Sequence, residues 1–154
     1  HEVDWNVAYM KALELYVLGM QMFRDDSGRM YGLAVYDAIS EAVNEGRVDS
    51  FGFKYCVGVF YERKDAMLKY LEEMQKEQNC DLQAQMIDSF RITVDLYRRL
   101  MFDVLREGTE GWNSLFEPVD REHYLEAIKI IQKLKASEER NVELAKRILQ
   151  KKIL

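Results

Sequence analysis

The stretch from Ala8 to Phe23 limits most strongly how this chain can fold. Of these sixteen residues only Lys11, Glu14 and Gln21 are strongly polar. Their spacings of three and seven put them on one narrow stripe of a helix whose remaining surface is apolar. Such a helix is expected at the centre of the fold, with other helices or a second subunit on almost every side. It is too short and too interrupted to span a bilayer.

The rest of the chain has to supply that enclosure. Its 154 residues suit one domain, 1–154, with enough surface to bury a core unaided. A single proline and eight glycines favour long helices over many short strands. Apolar residues at 48% and charged ones at 32% match a soluble globular protein. The expectation is an all-α bundle of five or six helices, or a short stack of helical hairpins.

In chain order, Asp4 can cap a first helix from Trp5 to about Arg24. Asp25-Asp26-Ser27-Gly28 breaks it, and a second helix runs from about Arg29 to Glu45, with Gly46 placed for a left-handed ending. Gly32, Ala34, Ala38 and Ala42 are small, which predicts close packing of this helix on the first. Residues 51–61 read two ways. Phe51, Phe53, Tyr55, Val57, Val59 and Tyr61 alternate as in a strand, and Phe53, Val57 and Phe60 share a helical face. No second alternating run offers a partner strand, which favours the helix. From Asp65 to Gln78 the pattern is helical, with a bend expected near Arg63-Lys64-Asp65.

Asp81 can cap a fourth helix over about 82–107, with Leu82, Met86, Phe90, Thr93, Tyr97 and Val104 inside. Arg91, Asp95, Arg99 and Asp103 alternate in sign at spacings of four. Pairs of that kind contribute only about 0.3–0.5 kcal/mol each, so they mark the solvent side. Residues 109–119 form the longest loop, in which Trp112 and Phe116 read as pins or as a contact surface. Asp120 caps a fifth helix, and Ser137 followed by Glu138 and Glu139 reads as the start of a sixth.

Charge is uneven. Residues 1–118 hold 13 basic against 21 acidic side chains, whereas 119–154 hold 9 against 6, within a net charge of −5. That balance disfavours general phosphate binding and makes a nucleic-acid partner unexpected. Cys56 and Cys80 match no metal spacing, so free thiols in a reducing cytoplasm are expected. No targeting peptide is visible. The chain begins at His1 rather than Met, which leaves the native start open.

No linear constellation carries chemistry. The chain has no Glu-x-x-His, no glycine-rich phosphate loop and no nucleophile elbow. Catalytic residues, metal ligands and cofactors are therefore not assigned. Acidic pairs such as Glu72/Glu73 and Glu138/Glu139 read as capping or exposed groups. Fragments such as Tyr124, Ala127, Ile131 and Leu134 have the spacing of a tetratricopeptide helix. The Leu18-Gly19 to Val57-Gly58 interval is too long for that repeat.

Eight methionines and nine tyrosines are the distinctive excess. Buried phenols need hydrogen-bond partners and methionine surfaces adapt to varied ligands. Two readings follow. In the first, the chain is a non-catalytic interaction or regulatory domain, a homo-oligomer or a partner-binding module. It would use an aromatic and methionine groove, the loop residues Trp112 and Phe116, or the C-terminal stripe Ile148, Leu149 and Ile153. In the second, it is a small-molecule-binding or enzymatic bundle with a tyrosine-lined pocket, drawn from Tyr9, Tyr16, Tyr36 and Tyr55. Glu14, the one acid in the greasiest helix, is its candidate buried carboxylate.

Overall fold

The longest element sets the frame. α5, Arg121–Ile153, runs for 33 residues without a break and so spans about 50 Å. The structure is a computed structural model that describes residues 4–21, 32–76, 80–106 and 112–153. The other helices are α1 (Trp5–Gln21), α2 (Ala34–Asn44), α3 (Ser50–Gln75) and α4 (Asp81–Arg98). A π-helical turn, Arg99–Leu105, continues α4, and a 3₁₀ turn, Trp112–Phe116, precedes α5. No strand occurs among the described residues.

Local signals account for most of these boundaries. Asp4 Oδ1 accepts the Asn6 N–H at 3.0 Å and opens α1 as expected. Asp49 does the same for α3 through the Gly52 N–H at 2.9 Å, and Asp120 for α5 through the His123 N–H at 2.8 Å. Gly46 follows α2 with φ +68°, the left-handed ending read from the sequence. Residues 51–61 are helical and belong to α3, which passes through Arg63–Asp65 unbroken. Asp81 lies inside α4, one residue after its N-cap Cys80. The expected breaker at 25–28, the helix start at Arg29 and the stop at Gly108 lie outside the described residues.

The sixth helix does not form. Ser137 lies in the middle of α5, because Ala127, Ile131, Leu134, Val142, Ala145 and Ile148 make one continuous buried stripe through that point. A cap-like triplet cannot stop a helix whose buried face continues on both sides of it. The π turn widens the end of α4 and allows Leu100, Met101, Val104 and Leu105 all to face inward. The Met101 methyl then lies 3.4 Å from where a Cβ on Gly58 would sit.

α4 and α5 pack along each other. α3 and the π turn close one side of this pair, and α1 and α2 both lie on α5. The helix with companions on most sides is therefore α5. α1 buries Tyr9, Leu13, Val17 and Met20, spaced by four, four and three, but leaves Val7, Leu15 and Leu18 more than half exposed. The expected enclosure on almost every side is thus corrected to a single docked face. Likewise α2 packs principally on α5 rather than α1. Gly32, first of the run of small residues, meets α1 closely: at φ +60° a Cβ there would fall 2.4 Å from the Gly19 carbonyl oxygen.

This one-sided docking separates two leucines that the sequence makes look alike. Leu13→Ala is expected to lower stability by about 2–3 kcal/mol through lost burial and the cavity left behind. Leu18→Ala is expected to stay within about 0.5 kcal/mol of the parent. Urea unfolding of the two variants checks this. Equal effects would contradict the placement of α1.

A buried ion helps to hold the loop before α5. Lys54 is buried, and its Nζ donates to the carbonyls of Ser114 and Glu117, each at 2.7 Å. Burial lowers the Lys54 pKa, since desolvation disfavours the ammonium. Leu115 is buried beneath the same loop, whereas Phe116 is exposed and stacks on Phe51 with centroids 5.0 Å apart. The Trp112 side chain lies outside the described residues.

Candidate functional site

Glu138 organises the polar interior. It falls on the inner stripe of α5 one turn after Leu134, and its side chain is completely buried. A carboxylate taken out of water needs partners on its lone pairs, and three helices supply them, with a fourth behind. Tyr16 of α1 donates its hydroxyl to Oε2. Lys64 of α3 places Nζ 2.9 Å from Oε1, with 17% of its own side chain exposed. Tyr36 of α2 reaches the same oxygen from 3.5 Å, a long contact. Its hydroxyl also lies 2.6 Å from that of Tyr97 on α4. The orientation that directs both protons toward the negative charge has Tyr97 donating to Tyr36 and Tyr36 to Glu138.

A second layer continues along the α4–α5 seam. Thr93 and Ser137 share a hydrogen bond of 2.6 Å, the Asn141 amide donates to Thr93 at 2.8 Å, and Ser89 donates to the Asn141 carbonyl at 2.5 Å. Ser137 thus serves as a bridge between helices instead of a cap. Satisfied networks of this kind fix one arrangement of the helices, because a partial set would leave buried groups unpaired.

Burial holds the phenols of Tyr16, Tyr36 and Tyr97 well above the ordinary value near 10, and the adjacent Glu138 charge adds to the shift. They therefore remain neutral donors across the physiological range. Lys64 Nζ also lies 5.2 Å from the Tyr16 ring centroid, in cation–π range.

Above this network opens a cleft of about 310 Å³. Tyr16, Tyr36, Tyr97 and Phe90 form its base, with the Tyr16 and Phe90 rings 5.5 Å apart. Met20, Val35, Phe60 and Met67 make apolar walls, Gly32 borders it, and Arg63 and Lys64 stand on the α3 side. The volume lies at the small end of the range for ligand pockets. A second cleft of about 330 Å³ lies between α3 and the π turn, lined by Tyr55, Gly58, Glu62, Met101 and Arg106. Its lysine, Lys54, is already committed to the two loop carbonyls.

Of the candidate ligand residues, Tyr16 and Tyr36 meet at the first cleft. Tyr9 is buried elsewhere beside Tyr70, and its hydroxyl has no hydrogen-bond partner among the described residues. Tyr55 is exposed at the second cleft. Glu14 is exposed and faces Lys11 at 3.6 Å, so the buried carboxylate is Glu138 instead. Of the candidate interaction residues, Ile148 is buried in the bundle's own core and Leu149 is half-buried. The Ile153 side chain lies outside the described residues.

Glu138, Lys64 and Tyr97 complete the site, and spacing offered a signal for the first two. Glu138 keeps phase with Ala127, Ile131, Leu134, Ala145 and Ile148, and Lys64 with Val57, Leu68 and Leu71. A charged residue in step with an apolar stripe marks a buried ion.

Both cysteines are exposed and unpaired, and among the described residues no cluster of three metal-ligating side chains occurs. No described helix is long and apolar enough to cross a membrane. Comparison with protein families, with curated proteins and with solved structures finds no match for this chain.

Proposed function

We propose that this chain is a small-molecule-binding helical bundle whose ligand occupies the cleft above Glu138. One observation carries the reading: an apolar recess lies over a buried carboxylate and three tyrosines, and all five α-helices contribute to the set. An apolar recess with a few convergent polar groups and perturbed ionisable residues is the usual form of a ligand site. Binding is favoured over catalysis because the polar groups are spent on one another. Glu138 is occupied by Tyr16 and Lys64, and Tyr36 by Tyr97. A network so satisfied holds shape and leaves no free base among the described residues that line the recess.

The test is calorimetric titration with 1-octanol, a probe with an apolar body and one hydroxyl. Binding is expected for the parent chain and is expected to be lost in Met67→Trp, where the larger ring fills the recess. Unchanged far-ultraviolet dichroism of that variant confirms that its helices remain. No binding to the parent, or equal binding to both, overturns the reading.

A second reading, an interaction domain or homo-oligomer, rests on a separate observation. Val7, Leu15 and Leu18 form an exposed apolar strip along α1. Sedimentation equilibrium tests it. A dimer that Leu15→Lys/Leu18→Lys converts to monomer supports this reading, and a monomeric parent removes the homo-oligomer.

A further inference from the structure

We infer that the cleft selects a small amphipathic acid: an apolar body with one anionic head, seated beside Arg63. This rests on the proposed ligand site and specifies the ligand's class. The argument is one of charge. Two cations, Arg63 and Lys64, line the cleft, and among the described residues no acidic side chain does. Glu138 lies beneath the lining and is already matched by Lys64 at 2.9 Å, so it neutralises one of the two. Arg63 is exposed and forms no ion pair among the described residues. Among the described residues, one positive charge is therefore left at the mouth of an apolar recess, on a chain whose net charge is −5.

Chemistry narrows the class further. A guanidinium presents paired donors that match a carboxylate in a two-pronged contact, and it gives up its hydration more readily than an ammonium. The walls of Met20, Val35, Phe60 and Met67 are apolar, with only the weak thioether acceptors of the methionines, of which Met20 Sδ already lies 4.0 Å from Lys64 Nζ, so the body of the ligand is hydrocarbon. An amine would meet Arg63 as a like charge, and it could reach Glu138 only by displacing Lys64 from both the carboxylate and the Tyr16 ring. A neutral alcohol keeps the apolar contacts and forgoes the ionic one.

Three probes that share a chain and differ at the head separate these cases: octanoate, 1-octanol and octylamine, titrated calorimetrically into the full chain at low and at 0.5 M salt. Octanoate is expected to bind at least about tenfold more tightly than 1-octanol, the scale of a charge-assisted contact. Arg63→Gln, on an exposed helical position, is expected to erase that preference, so that octanoate binds the variant no more tightly than 1-octanol does. High salt is expected to weaken octanoate alone. Equal affinity for acid and alcohol, tightest binding by the amine, or an acid preference that survives Arg63→Gln overturns this inference while the cleft stands as a ligand site. Failure of all three probes to bind removes the site itself.

Discussion

Lys64→Met is expected to destabilise the fold by about 3–4 kcal/mol, moving a urea midpoint by nearly 2 M for a slope of about 2 kcal/mol/M. The cause is the group left behind. Glu138 has no access to water, and Lys64 supplies the one cation in contact with it among the described residues. Without that ammonium the carboxylate keeps the Tyr16 hydroxyl and a long contact from Tyr36, which do not balance a full charge. Removing both ions should largely undo the damage. Lys64→Met/Glu138→Leu replaces the pair with apolar groups of similar size, an exchange that is often neutral in buried settings. The four-way comparison yields the coupling between the two residues. A single Lys64→Met within 0.5 kcal/mol of the parent would show that Glu138 is not held as described.

Alkaline pH is expected to unfold the chain steeply above pH 10. Tyr9, Tyr16, Tyr36 and Tyr97 all have phenols raised by burial above their ordinary value. In the unfolded chain these groups lose their protons near pH 10, while the folded chain retains them. The folded state then binds more protons, so stability falls as pH rises, by about 1.4 kcal/mol per pH unit for each tyrosine. Four acting together approach about 5–6 kcal/mol per unit, comparable to the whole stability of many domains. Below pH 10 both states keep these phenols neutral and the contribution is constant. Absorbance at 295 nm, followed with dichroism, should show part of the nine tyrosines ionising early and four ionising only together with helix loss. Independent titration of all tyrosines before any loss of helix contradicts their burial.

Much of the architecture was legible in the residues. Asp4, Gly46 and Asp120 each signal a boundary through local backbone chemistry, and each is used as such. The missing partner for residues 51–61 was a sound reason to prefer a helix. Tyr16 and Tyr36 were candidates because phenols on apolar faces need partners, and Glu138 is what they share. Glu138 itself was hidden by its neighbours. Ser137-Glu138-Glu139 imitates a helix start, and only the phase of the flanking apolar residues shows that the helix continues. Lys64 was obscured in the same way inside Glu62-Arg63-Lys64-Asp65, a run that reads as solvated surface. α1 erred in the opposite direction. Hydrophobicity alone does not distinguish Leu13, at 0% exposure, from Leu18, at 61%, because it says nothing about which neighbours are present.

The account stands or falls on whether the recess above Glu138 receives a ligand. Methyl-resolved magnetic resonance during titration with 1-octanol tests this most directly. Saturable shifts are predicted at the methyls of Met20, Val35 and Met67, which line the recess. Shifts confined to Val7, Leu15 and Leu18 on the outer strip of α1, or no saturable shift at any methyl, would contradict it.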